Sequence, residues 1–90
     1  MNRSIVSVYD TVAKVYGPPL AFLNAGEGVR WFSDMVNNPQ DQSNIYKHPK
    51  DFVLFELGSY DDQSGEILSH KIPTRLGLGS DFKEKIEIVK

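Results

Sequence analysis

His48-Pro49-Lys50-Asp51 is the first segment in which chemistry can be sought, because Asp51 lies close enough in sequence to orient His48 as a general acid or base. No nucleophile stands near it, and no serine of the chain sits in a nucleophile elbow. The segment reads instead as a loop closure in which Asp51 caps local backbone groups. Asp61-Asp62-Gln63-Ser64-Gly65-Glu66 resembles a calcium loop at first sight. Setting Gly65 at the glycine position of an EF-hand puts Tyr60 first and Lys71 last, where both residues should be acidic. A polar hairpin turn accounts for the segment better. Ser64-Gly65 and Gly77-Leu78-Gly79-Ser80 lack the Gly-x-x-x-x-Gly-Lys spacing of a phosphate loop. A zinc site would need His48, His70 and carboxylates, and the two histidines lack close paired spacing. No catalytic residue, metal site or cofactor is expected, so the chain is read as a non-enzyme.

One constellation carries more. Tyr9, Tyr16, Trp31 and Tyr60 interleave with Lys14, Arg30 and Lys47. Flat rings beside cations are what single-stranded nucleic acid needs, since bases stack on the rings and phosphates meet the cations. Tyr9, Lys14, Tyr16, Arg30, Trp31 and Lys47 are therefore the candidate nucleic-acid-binding residues. The competing reading is packing: aromatic side chains bury large areas, and Trp31 borders an apolar helical stripe.

The elements that must position these residues are short. Residues 4–10 form a strand candidate with Val6 and Val8 on one face. Thr11-Val12-Ala13-Lys14 is a turn. Residues 15–23 are extended but interrupted by Gly17-Pro18-Pro19, and two prolines remove two ladder donors, so this strand is bent or at an edge. Asn24 caps a helix, with Glu27 three residues on. Ala25, Val29, Phe32 and Val36 share one face of that helix, which ends at Asn37-Asn38-Pro39. Residues 40–50 are polar and read as irregular. Residues 52–69 form a hairpin whose turn is closed by Gly65, a residue free to take a positive φ. Residues 70–81 read as a loop or mobile arm from Pro73, Gly77 and Gly79. The tail 81–90 reads as a short helix or a frayed end. The fold class is α+β: a β-β-α-β-β order in a two-layer sandwich, with a small antiparallel sheet under one main helix. A single domain is expected over 1–72, with loop and tail over 73–90.

Ninety residues suffice for one domain with a small core. The chain has no cysteine, so disulfides and thiolate chemistry are excluded. The net charge of −2, with acids and bases mixed, argues against a sequence-independent polyelectrolyte binder of DNA or membranes. No stretch approaches the roughly 18 apolar residues of a membrane span, and Met1-Asn2-Arg3-Ser4 is not followed by a signal-peptide core. No membrane partner is expected, and the expected location is the cytosol.

Four segments in this order resemble a known family. They are Ser7-Val8-Tyr9-Asp10, then residues 25–34 (Ala-Gly-Glu-Gly-Val-Arg-Trp-Phe-Ser-Asp) with Val36-Asn37. His48-Pro49-x-Asp51-Phe52-x-Leu54-Phe55 and Gly58-x-Tyr60-Asp61-Asp62-x-x-Gly65 follow. Together they are similar to the small nonstructural protein of gokushoviruses, icosahedral single-stranded DNA phages of the microvirus group. The similarity spans residues 5–67. It implies a protein made in the cytoplasm of the bacterial host and absent from the mature capsid. It also implies a role in single-stranded genome synthesis and packaging, with viral single-stranded DNA or a replication protein as partner. The resemblance supplies no catalytic residues. The alternative is a self-associating protein-interaction module without nucleic-acid affinity.

Self-association is expected in either case. Phe52, Leu54, Phe55 and Leu57 point to both faces of one strand, and one helix covers only one face. The other face would be an apolar patch, for which a two-fold homodimer is the commonest closed solution.

Overall fold

Val6 and Val8 turn toward the helix, and the strand that carries them is the one all others depend on. In the computed structural model, which describes residues 1–40 and 43–83, strand β1 (Asn2–Asp10) pairs antiparallel with β4 (Phe52–Asp61) along its whole length. Its other side is shared by two short strands. β2 (Val15–Tyr16) meets Tyr9 and Asp10, while β3 (Leu20–Phe22) meets Ser4 to Val6. Pro18 and Pro19 lie between them and have no N–H to give the ladder. The last bond before the break runs from the Gly17 N–H to the Val8 carbonyl at 2.8 Å. β5 (Ile67–Leu78) closes the sheet beyond β4, in the order β2-β1-β4-β5 with β3 beside β1.

Helix α1 (Ala25–Asn37) lies on one face of this sheet. Asn24 caps it as expected, its Oδ1 accepting from the Glu27 N–H at 3.0 Å. Phe32 and Val36 are fully buried against Val6 and Leu54, with Phe52 beside them. Gly28 brings the helix close: a Cβ there would stand 3.1 Å from a Val6 methyl group. The two-layer α+β architecture expected from the element order is the one observed.

Residues 15–23, expected as one bent or edge strand, form two short ones, so three strands rather than two precede α1, and two further segments differ from expectation. Residues 40–50 are not wholly irregular, because Ser43 caps a single-turn helix α2 (Asn44–Lys47), its Oγ accepting from Tyr46 N–H at 3.2 Å. One turn is too short to show a periodicity. Residues 70–81 are not a loop or arm. They complete β5 and enter a 3₁₀ turn, Gly79–Phe82, that returns Phe82 to the core margin. The glycines there are not punctuation. A Cβ on Gly77 would overlap the Phe82 ring, and one on Gly79 would overlap the Pro49 carbonyl. They are glycines because other atoms occupy that space. Pro73 is tolerated because β5 has β4 on one side only and runs out of register there, between the Glu56↔Thr74 and Gly58↔Ser69 pairs. The helical or frayed reading of the tail falls largely on 84–90, outside the described residues.

The β4–β5 hairpin is closed by Gly65 at φ 77°, its N–H bonded to the Asp61 carbonyl at 2.8 Å. Further down, a Cβ on Gly58 would run into the Leu68 carbonyl and the Ser69 Cα, both main-chain atoms that cannot swing aside. Gly58→Ala should therefore destabilise the protein by about 1–3 kcal/mol, the usual cost of overpacking. Urea denaturation checks this, and an unchanged midpoint would contradict the close pairing of β4 with β5.

Candidate functional site

The sheet face turned away from α1 carries the rings. Residues paired directly across antiparallel strands point the same way. Tyr9 pairs with Tyr16, and Phe55 pairs with Ser7 on one side and Arg75 on the other. Tyr9, Tyr16, Phe55 and Arg75 thus share one face. The ring centroids of Tyr9 and Tyr16 are 4.6 Å apart, those of Tyr16 and Phe55 5.8 Å, and those of Tyr9 and Phe55 6.1 Å. Ser7 is buried on this face, its Oγ donating to the Gly17 carbonyl at 2.7 Å. Tyr16 is the most open ring, 44% exposed. Arg75 is exposed and makes no ion pair among the described residues.

Lys14 stands in the β1–β2 turn, two residues before Tyr16, with φ 61°. That turn is held by Asp10, whose Oδ1 accepts from the N–H groups of Val12 at 2.9 Å and Ala13 at 3.1 Å. Side-chain acceptors of this kind stabilise turns that no glycine marks.

The residues proposed from sequence for nucleic-acid contact therefore divide. Tyr9 and Tyr16 meet on the outer sheet face, and Lys14 lies in the turn that joins their strands. Arg30, Trp31 and Lys47 lie in the helix layer, where Trp31 packs on Phe22 with centroids 5.5 Å apart. Phe55 and Arg75 join the first group and were not among the residues proposed for it. Nothing in their local sequence gives the strand register that brings them there.

The residues proposed for self-association divide as well. Phe52 and Leu54 are buried beneath α1, whereas Phe55 and Leu57 are half-buried. The far face of β4 is apolar at Phe55 but already partly roofed by Tyr9 and Tyr16.

His48 and Asp51 line a small cavity together, without a hydrogen bond between their side chains. The Asp51 carbonyl instead accepts from the N–H and the hydroxyl of Thr11, each at 2.9 Å. Among the described residues no three His, Asp or Glu side chains converge as a metal site would require. Nor is any described helix long and apolar enough to cross a membrane.

Glu56 is the most tightly held carboxylate. It accepts from the buried Ser4 hydroxyl at 2.6 Å and stands 2.8 Å from His70 Nε2. The Ser4 bond, followed by the contact with His70, holds its pKa below the ordinary 4.5, against an opposing effect of partial burial. A carboxyl whose folded pKa is depressed adds stability that is present above its unfolded pKa and lost as the pH falls through the folded value. Glu56→Gln should flatten the acid limb of the stability curve between about pH 5 and pH 3. Ser4→Ala should cost about 2 kcal/mol near neutral pH, the scale of a hydrogen bond to a charged group. Urea midpoints measured across pH for the three proteins check both. An acid limb of Glu56→Gln parallel to that of the parent would show the contact to be energetically silent.

The profile of the family described as Phage ORF5 protein matches residues 3–82. The chain is 28% identical over 69 residues to Protein ORF5 of Chlamydia phage 1, covering 74% of this chain and 72% of that protein. No solved structure matches. The resemblance to the small nonstructural protein of gokushoviruses, drawn from the four motif segments, is thereby supported over nearly the whole described chain.

Proposed function

Since the chain belongs to the Phage ORF5 protein family, we propose that it is a non-enzymatic phage accessory protein that binds viral single-stranded DNA during genome synthesis and packaging in the host cytoplasm. The observation that carries the reading is the outer sheet face. Three aromatic rings lie within 4.6–6.1 Å of one another, with Arg75 paired to Phe55 across the strands, free of any ion pair among the described residues, and Lys14 in the turn that leads to Tyr16. Bases offer π-faces to such rings regardless of sequence, and the two cations meet the phosphates that flank them. The net charge of −2 keeps the general attraction to DNA weak, so affinity must come from this local arrangement.

Fluorescence anisotropy with a labelled oligo-dT, at about 50 mM salt where phosphate contacts are strong, tests the reading. Tyr16→Ala and Arg75→Ala should each weaken binding. For Tyr16 the loss should be about fivefold or more, the lower end of the range for one stacked base. Arg30→Ala, on the helix layer, should leave it unchanged. No binding by the parent protein would refute the reading, and a loss confined to Arg30→Ala would refute the site.

A second reading, self-association, is favoured by β5. This edge strand exposes Ile67 (63%), Leu68 (56%) and Ile72 (79%) beside a backbone edge with no further strand among the described residues. Uncovered apolar edges of this length are templates for pairing, and antiparallel β5–β5 pairing about a two-fold axis would close them. Light scattering at micromolar concentration should give twice the 10.2 kDa chain mass, and Ile72→Lys should return it to 10.2 kDa. A parent mass of 10.2 kDa would exclude the dimer.

A further inference from the structure

A second feature lies on the opposite side of the sheet from the aromatic face. Between α1 and the β1–β2 end of the sheet is a cavity of about 410 Å³, within the range of pockets that hold ligands. Val8, Val15, Leu20, Trp31, Met35 and Phe52 form its apolar walls. A smaller cavity of about 200 Å³ adjoins it, sharing Asp10 and Phe52 and adding His48, Asn44 and Asp51. The described side chains bounding the pair include two carboxylates and no lysine or arginine.

Both carboxylates have capacity to spare. Among the described residues only Oδ1 of Asp10 is engaged, by the turn N–H groups, and Asp51 is engaged through its backbone carbonyl. The Thr11 bonds to that carbonyl tie the β1–β2 turn to the 3₁₀ turn Pro49–Asp51, so the two acids are fixed at one rim. The apolar chamber shows Val15 (56% exposed) and Leu20 (39%) to water at its rim, and the smaller cavity shows Val12 (72%). Apolar surface left open around a cavity, with a carboxylate pair at one end, is complementary to an apolar group followed by a cation.

We propose that this double cavity docks a segment of a partner protein in which a bulky apolar side chain is followed by arginine or lysine. The apolar side chain enters the chamber over Trp31 and Phe52, and the cation lies at Asp10 and Asp51. Nucleic acid is disfavoured here, since its phosphates would face two carboxylates. The docking site does not depend on the DNA reading, because Tyr16 and Arg75 lie on the other face of the sheet.

Titration of the ¹⁵N-labelled 90-residue chain followed by NMR tests it. Three peptides are compared: acetyl-Gly-Phe-Arg-Gly-amide, its Phe-Glu counterpart and its Ala-Arg counterpart. The Phe-Arg peptide should shift the Trp31 indole N–H and the amides of Asp10, Val15 and Ile45 in a saturable way. The other two should bind about tenfold more weakly, one for like charge and one for want of an anchor. Asp10→Asn keeps the acceptor for the turn and removes the charge, so it should erase the preference of arginine over glutamate. Val15→Lys, at an exposed rim position, should abolish the shifts while leaving the spectrum dispersed. It decides the matter if Asp10→Asn fails to fold. Equal binding of the three peptides, or no saturable shift with the Phe-Arg peptide, would overturn the proposal. So would oligo-dT moving the Trp31 signal in place of the Tyr16 and Arg75 signals.

Discussion

The missing N–H groups of Pro18 and Pro19 govern this fold more than any single contact. β1 has a partner along all of one side, but the other side is divided between β2 and β3, since no ladder can run through two prolines. The division has two results. It leaves Val15–Tyr16 as a short flap whose Tyr16 ring lies on Tyr9 on the outer face. It also opens the space on the inner face between Gly17, Pro18, Leu20 and the helix. A continuous strand there would narrow that space and run the sheet edge straight. The aromatic face and the cavity thus share one cause, a local defect in hydrogen bonding.

The helix is legible in sequence because three independent signals agree over residues 24–37: the Asn24 cap, the apolar stripe, and the stop before Pro39. Its two buried apolar side chains, Phe32 and Val36, belong to that stripe. β1 and the Gly65 turn are legible for the same reason, in that periodicity and turn chemistry coincide. The second half of β5 is not. Pro73, Gly77 and Gly79 carry the composition of a loop, yet two of them are glycines because Phe82 and Pro49 press against their backbones. A glycine that permits a positive φ and a glycine that makes room are identical in sequence. Only the tertiary structure separates them.

The candidate site shows the same limit in another form. Tyr9 and Tyr16 are near neighbours in sequence, and the turn between their strands is enough to pair them. Phe55 and Arg75 reach the same face only through the register of β1 with β4 and of β4 with β5, which contains irregularities between Leu54 and Phe55 and between Glu56 and Gly58. A one-residue slip would send each side chain to the other layer. Sequence patterning that tolerates such slips cannot say which aromatic residues meet. Trp31 lies in the helix layer against Phe22, the packing that its place beside the apolar helical stripe allowed for.

Charge follows the two faces. The total of −2 suggests a surface of no particular sign, but the cavity rim and the aromatic face carry different charges. Asp10 faces the helix side, where Asp51 joins it through the Thr11 bonds. Arg75 and Lys14 accompany the rings on or beside the outer face. In a protein this small the two surfaces are separated by little more than one sheet, about 10 Å in typical packing, the scale of the Debye length at moderate salt. Each surface then feels its own charges more strongly than those of the other. A near-neutral chain can in this way present an anion-seeking face and a cation-seeking face at once. The sheet makes that division, because Asp10 on β1 and Arg75 on β5 point to opposite faces of it.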